Sequence, residues 1–523
     1  MNDSIKRVAI AAIIVLSLAS CRKESDTVRN YSYYDAILWD EAMTSYGLKF
    51  KILWEGLNTN YSIWDYEKEH GLDWDAVYDK YYPKFVELDT LSKKRTITDG
   101  ELETLLHEVL DPLHDGHMSI DMTNHMTGNT IKIDPNETRI RKEREADYYE
   151  SMSDDGRLLL PYPLYYKDIP GKIIDLKSVD ARGGIQLIDF DNALSAWAQK
   201  ILAYTSGKTI LTDEELAYEQ VALTIEEELR QVRSLYGDEL IQAINALALK
   251  YAYLNIDGVH VMDPDMLNEG ITMTYALFEG NIAYLTFDAF RITPFLTTFV
   301  TNKHLLQPYA QQLAAEVADV WLSWFNAIQD LHEAGQLGGV IIDVRGNQGG
   351  YSSDFQYVLG ALVPSGGLHV TDVRFKRGIG RYDYSPLMPH LMATYVGPHV
   401  TVTEPIVVIA NANSVSMAEA TSLGTTVVEN AKLVGVRTWG GMCSLWPNEY
   451  YSYTYTGHIG VSGQTPVYVY CPMEATFTRD GKIMEGVGVT PDIEVHLDKA
   501  AWNNGKGPDS QLDRAIQYIT TGK

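Results

Sequence analysis

Three short segments in the second half of the chain are almost uninterrupted in apolar character: NIAYLTF (Asn281–Phe287), GGVIIDV (Gly338–Val344) and PIVVIA (Pro405–Ala410). Successive apolar positions, rich in Ile and Val, suit strands buried on both faces. Between the first two, around Val317–His332, apolar residues recur at helical spacing. Strands alternating with helices predict an α/β core over residues 271–523. Asp492–Leu497 reads as a further strand and Ser510–Thr520 as a closing helix.

Upstream the period changes. Ile37, Leu38, Ala42, Tyr46 and Phe50 recur every three or four residues, as do Trp74, Val77, Tyr78, Tyr81 and Tyr82. Asp99 reads as the N-cap of a third helix with Leu102, Leu105, Leu106 and Val109 on one face. Residues 34–115 therefore form a helical N-terminal domain. Residues 116–270 are an intermediate region, with strand-like runs at Lys172–Leu176 and Ile185–Ile188 and a polar helix over Asp213–Tyr253. Tyr450, Tyr451, Tyr453 and Tyr455 suggest aromatic rings on a half-buried strand.

Composition narrows the class. A chain of 523 residues exceeds a single core, and 45 % hydrophobic with 22 % charged residues is an ordinary globular balance. Lys and Arg total 43 against 70 Asp and Glu, a net charge of −27. So negative a surface repels phosphate backbones, which argues against nucleic acid as a partner. Three Cys cannot form a disulfide framework, although Cys443 and Cys471 remain available to pair.

The first Cys has another meaning. Lys6 and Arg7 precede an apolar run from Val8 to Leu16, followed by Leu18-Ala19-Ser20-Cys21. A basic start, a short apolar stretch and small residues before Cys resemble a bacterial lipoprotein signal. Residues 1–20 are then the signal peptide, Cys21 the lipid-bearing residue and 21–33 a polar tether. The expected location is the bacterial cell envelope, with the membrane reached through the lipid anchor.

Candidate chemistry sits in three places. In PIVVIANANSVSMAEATSLG (Pro405–Gly424) an apolar strand runs through a polar turn into a helix of small residues, with Ser414 suited to the N-cap. A Ser at such a junction lies by unpaired backbone N–H groups that can hold an oxyanion. In GGVIIDVRGNQGGYSS (Gly338–Ser353) paired glycines follow a strand and permit close backbone approach. In LHDGHMSI (Leu113–Ile120) His117 follows Gly116 between a helix and a strand. His114, His117 and Asp121 raise a metal site, but their spacing matches no standard ligand set.

Together, and in this order, these segments resemble the tail-specific, or carboxyl-terminal processing, serine protease family. IIDVRGNQGG, NSVSMAE, LVGVRTWGG and EGVGVTPDIEV follow its core in order and spacing. The resemblance implies a ClpP/crotonase-like core and makes Ser416, three residues before Glu419, the nucleophile. Dyad members of the family carry a Lys in a TFGKG-like block; here that block reads Thr438-Trp439-Gly440-Gly441, with Gly441 at the Lys position. The branch resembling the tricorn core uses a His base instead, which maps to His117, and a Glu, which maps to Glu485. That branch has a Ser directly before the His, where this chain has Gly116. The implied oxyanion donors are the N–H of Met417 and that of Gly349 or Gly350. Family members often carry a PDZ domain, yet residues 120–270 show no Gly-rich carboxylate-binding loop.

The expected activity is a serine endopeptidase that acylates Ser416 with His117 as base and needs no metal or organic cofactor. Its polypeptide substrate would lie extended and add a strand. Two rivals are a protease fold that has lost catalysis and binds peptide, glycan or lipid, and a metal hydrolase built on His114, His117 and Asp121. Cys21→Ser is expected to abolish incorporation of a labelled fatty acid and to move the protein from the membrane to the soluble fraction.

Overall fold

The computed structural model describes residues 36–523 apart from 153–157, 159, 182–188, 233–242, 244–245, 249, 255, 257–269, 299–307, 379, 393, 395–398, 444–457 and 461–464. Cys21 with its flanking signal and tether, Ile185–Ile188 and Tyr450–Tyr455 lie outside the described residues. The chain divides into two compact units assembled from separate stretches. One draws on the chain up to Glu145, His369–His390 and Trp439–Val489; the other on Ala146–Leu368, Leu391–Thr438 and Thr490–Lys523.

The second unit is built on a seven-stranded sheet. Its strands are β1 (Ile173–Asp180), β2 (Thr272–Phe278), β3 (Ile282–Phe287), β4 (Gly339–Asp343), β5 (Ile406–Ala410), β6 (Ala431–Gly435) and β7 (Ile493–Glu494), in the spatial order β7-β6-β5-β4-β3-β2-β1. Strands β3 to β7 pair in parallel, and β1 and β2 add antiparallel pairs. The three apolar runs are β3, β4 and β5, and every residue of these strands is buried. Parallel strands need crossover connections, which cover both faces. Helix α1 (Pro308–Glu333) joins β3 to β4 and buries Val317, Trp321, Trp324 and Ile328. Helix α2 (Met417–Gly424) joins β5 to β6. Ile341, Val407, Ile409 and Val434 pack with Leu512, Ala515 and Ile519 of α3 (Ser510–Thr521). The last strand is shorter than expected. The polar helix is described over Asp213–Val232, where it packs with Asp189–Ser206 around Leu194, Ile225 and Leu229.

A buried ion cluster fixes where β4 ends. The Arg345 guanidinium donates to both oxygens of Asp343 (2.9 and 2.6 Å) and of Asp509 (3.0 and 2.7 Å), and to Gln511 Oε1 (2.9 Å). Asp509 is also the N-cap of α3, accepting from the amides of Gln511 and Leu512. The exit of β4 is thereby tied to the C-terminal helix.

The first unit is the helical N-terminal region together with sheet pieces from far along the chain. Helices Tyr46–Asn60, Trp74–Ser92 and Asp99–Leu110 pack on an antiparallel sheet ordered His458–Ile459, Val467–Tyr470, Ser119–Thr123, Thr130–Ile133. Phe50 stacks on Phe85 with centroids 4.7 Å apart. The N-cap of the third helix is Thr98 rather than the expected Asp99, because Thr98 and Glu101 form a reciprocal capping box. Asp99 instead accepts from the side chains of Asn124, Thr127 and Asn129. Among the described residues no helix is long and apolar enough to cross a membrane.

After β3 the chain is held against the segment after β4. The Phe290 amide donates to Gly349 O and the Tyr351 amide to Phe290 O, each at 2.8 Å. Fully buried Asp354 then accepts from the amides of Ile292 (2.5 Å) and Thr293 (2.8 Å). Burial lifts its carboxyl from 3.8 to about 6, against the pull of those hydrogen bonds. A carboxyl with a raised folded pKa stabilises the fold fully below its unfolded value, and that contribution is lost as pH rises through the folded value. The stability advantage of the wild type over Asp354→Asn is therefore expected to shrink by up to about 3 kcal/mol between pH 4 and pH 7. Urea unfolding of both proteins across that range measures it.

Candidate active site

The Ser416 elbow is built by polar side chains that spend themselves on backbone. Beyond β5, Asn411 Oδ1 accepts from the amides of Gly346 (3.1 Å) and Asn413 (3.0 Å). Ser414, expected as the helix cap, is instead a brace: its Oγ accepts from the Asn411 amide (3.0 Å) and donates to Val344 O (2.8 Å). The cap position belongs to Ser416, whose side chain makes no capping hydrogen bond. Its backbone sits at φ 56°, ψ −115°. The other non-glycine residues with positive φ among the described residues are all Asn, which tolerates that region. Holding Ser there costs about 1–3 kcal/mol, and residues so strained cluster at functional sites. Half-buried Ser416 thus stands at the head of an eight-residue helix with no hydrogen bond from its hydroxyl among the described residues.

The glycine turn after β4 covers this elbow. Gly349 and Gly350 have φ of 88° and 139°. A Cβ on Gly349 would lie 2.5 Å from Ser416 Cβ and 2.9 Å from Met417 N, and one on Gly350 2.3 Å from Phe290 O. Only glycine permits this approach. The Gly349 amide is not a free oxyanion donor, contrary to one of the two expectations, because it already donates to Asn347 Oδ1 at 2.8 Å. The amides of Gly350 and Met417 have no acceptor among the described residues.

His117 and Glu485 lie together in the other unit, on a loop clasped by buried carboxylates. The His114 amide donates to Glu67 Oε1 (2.7 Å), the Gly116 amide to Glu485 Oε1 (2.8 Å), and the amides of His117 and Met118 to Asp115 Oδ1 (2.8 and 2.9 Å). Glu485 Oε2 accepts from the amides of Met442 and Cys443, both at 2.8 Å. His117 Nδ1 is buried, has no hydrogen-bond partner among the described residues, and lies 3.9 Å from Glu485 Oε1. At that distance Glu485 makes no hydrogen bond to the ring, and its hydrogen bonds serve the loop and the Met442-Cys443 backbone. Burial, with the Glu485 charge added, pushes Asp115 well above the usual carboxylate range. Asp115 escaped the sequence reading because an Asp two residues before a His is also an ordinary turn former.

Gly116 and the Thr438–Gly441 block explain each other. Trp439 Nε1 donates to Gly116 O (2.8 Å). A Cβ on Gly116 would fall 2.1 Å from Gly440 O, and one on Gly441 3.1 Å from Gly116 O. A Ser in place of Gly116 has no room here, and the Trp439–Gly441 stretch braces the His117 loop.

The metal reading finds no ligand set. His114 Nδ1 is engaged by Glu67 Oε2 at 2.8 Å, and among the described residues no group of three or more His, Cys, Asp or Glu is arranged around an ion. Cys443 and Cys471 are buried free thiols, pushed well above the ordinary thiol range by burial.

The open, mixed sheet is the centre of an α/β core that carries the strained Ser416 elbow and the glycine turn at the ends of adjacent strands. Residues 282–495 match the model of peptidase family S41. Solved structures give weaker likenesses. Mature CPAF complexed with lactacystin is 12 % identical, over 93 % of this chain and 100 % of that one, with a TM-score of 0.45. The photosystem II D1 C-terminal processing protease is 16 % identical over 46 % and 47 %, with a TM-score of 0.27. A lipoprotein from Streptococcus agalactiae is 12 % identical over 63 % and 96 %, with a TM-score of 0.31. A comparison with curated proteins finds no match.

Because Gly116 meets backbone rather than a movable side chain, Gly116→Ala is expected to destabilise the protein by about 3 kcal/mol or more. Gly100→Ala, in a helix with open space around it, is expected to be neutral or stabilising by up to about 1 kcal/mol. Urea unfolding of the two variants gives the comparison.

Proposed function

We propose that this protein is a serine endopeptidase of the bacterial cell envelope, anchored through lipid on Cys21 and cleaving polypeptides through an acyl-enzyme on Ser416. The observation that carries the reading is the strained Ser416 elbow with the unspent amides of Met417 and Gly350 beside it. Strain of this kind is retained where a hydroxyl must be presented, and paired free amides match the needs of a developing oxyanion.

In the proposed cycle His117 takes the Ser416 hydroxyl proton as the oxygen attacks the substrate carbonyl carbon. Nδ1 of His117 is buried, which leaves Nε2 as the working nitrogen. The Met417 and Gly350 amides stabilise the oxyanion. The tetrahedral intermediate collapses as imidazolium protonates the leaving amine, giving the acyl ester. Water, deprotonated by His117, then attacks the ester and releases Ser416. The Glu485 carboxylate lies 3.9 Å from the His117 ring, and the match to peptidase family S41 supports peptide bonds as the target. The missing family Lys is answered by His117, whose ring type suits proton transfer near neutral pH.

A fluorophosphonate probe is expected to label Ser416. Ser416→Ala and His117→Ala should each abolish labelling and lower peptide cleavage by on the order of 10⁴ or more. An unlabelled, folded wild type that binds peptide without cleaving it favours the passive receptor instead.

A further inference from the structure

Neither glycine of the turn against Ser416 carries a side chain, so its neighbours hold it. Phe290 bonds the backbone of Gly349 and Tyr351, Gln348 Nε2 donates to Asn413 O (3.2 Å), and Asn347 braces the Gly349 amide. A misplacement of about 1 Å at a reacting centre can cost about 10²-fold in rate. A Cβ on Gly349 would fall 2.5 Å from Ser416 Cβ, so the turn lies directly against the elbow. Asn347 is fully buried beneath it. Its Oδ1 accepts from the Gly349 amide at 2.8 Å, and its Nδ2 donates to Phe287 O, the last carbonyl of β3, also at 2.8 Å. Its own carbonyl accepts from the Val415 amide at 3.0 Å, one residue before Ser416. One donor and one acceptor neighbour fix which way the amide points.

Three pieces of chain thus converge on a single side chain: the end of the neighbouring strand, the glycine turn and the approach to the elbow. By consuming the Gly349 amide, Asn347 also decides which of two adjacent glycine amides remains to face a substrate carbonyl. We infer that Asn347 is the positioning residue of the oxyanion site, setting the Gly350 amide against the Met417 amide through its bonds to Gly349 and Phe287.

The inference rests on the peptidase reading and sharpens it. Asn347 touches no reacting atom, so its effect should be confined to the transition state. Asn347→Ala is expected to lower kcat by about 10²–10³, the cost of losing one oxyanion donor, with KM unchanged. Affinity for a peptidyl aldehyde, which forms a tetrahedral adduct, should fall by the same factor, while affinity for the cleaved peptide product should hold. A merely structural role would lower the folded fraction and leave the kinetics of folded molecules intact, so circular dichroism and urea unfolding accompany the assay. Should Asn347→Ala not fold, Asn347→Asp serves. It keeps an oxygen for the Gly349 amide and turns the other against the Phe287 carbonyl, and the same fall in kcat is expected. Wild-type kcat and aldehyde affinity in either folded variant overturn the inference while the peptidase reading stands. A wild type that neither cleaves peptide nor labels at Ser416 overturns the peptidase reading and this inference with it.

Discussion

A serine held at positive φ is the constraint on which the second unit turns. Ser416 gains nothing locally from φ 56°: it lacks the side-chain amide that lets Asn settle in the left-handed region, and its hydroxyl makes no capping bond. The conformation persists because its surroundings over-determine it. Val415 is tied to Asn347, Ser414 to Val344 and Asn411, and Ala420 N to Ser416 O at 2.9 Å as the helix begins. Each bond is worth only about 1 kcal/mol net, but together they exceed the cost of the strained residue. The chain thus enters α2 along a path on which the first helical amide, that of Met417, finds no acceptor among the described residues.

The His117 loop solves a different problem with charge. Backbone amides at 114, 116, 117 and 118 each find a carboxylate oxygen, supplied by Glu67, Glu485 and Asp115. Burial, with the Glu485 charge added, pushes Asp115 strongly upward. Glycine at 116, 440 and 441 lets the Trp439 block come within backbone contact of that loop. The two glycine stretches pack against each other: Gly116 has no room for a side chain, and one at Gly441 would crowd the Gly116 carbonyl.

Much of this was legible in the residues. Strands β3, β4 and β5 announced themselves because parallel strands are apolar at every position, and the Ser416 and Gly349-Gly350 segments stood out because strained turns use few residue types. Other features had no local signature. Asn347 and Asp115 look like turn residues, and their weight comes from partners such as Phe287 and Glu485, 60 and 370 residues away along the chain. Whether Thr98 or Asp99 caps a helix depends on one reciprocal bond with Glu101 that neighbouring candidates do not reveal. Gly349 and Gly350 were indistinguishable until the Asn347 side chain claimed one amide. The assembly of each unit from three separated stretches is a property of long-range pairing, which periodicity does not encode.

The Arg345 cluster shows what such buried polar groups contribute. Two carboxylates on one guanidinium, all almost wholly buried, cost a large desolvation penalty, and well-packed hydrophobic residues of similar volume would often match its stability. What hydrophobic side chains cannot supply is direction. Bidentate geometry at Asp343 and Asp509 sets the angle at which the chain leaves β4. Two residues after Arg345, Asn347 bonds Phe287 and Gly349 at once. A greasy core would hold β4 in the sheet equally well and leave its exit free to wander, and the amide of Gly350 with it. Polar burial here is spent on orientation, because a site made of backbone amides is only as ordered as the chain that carries them.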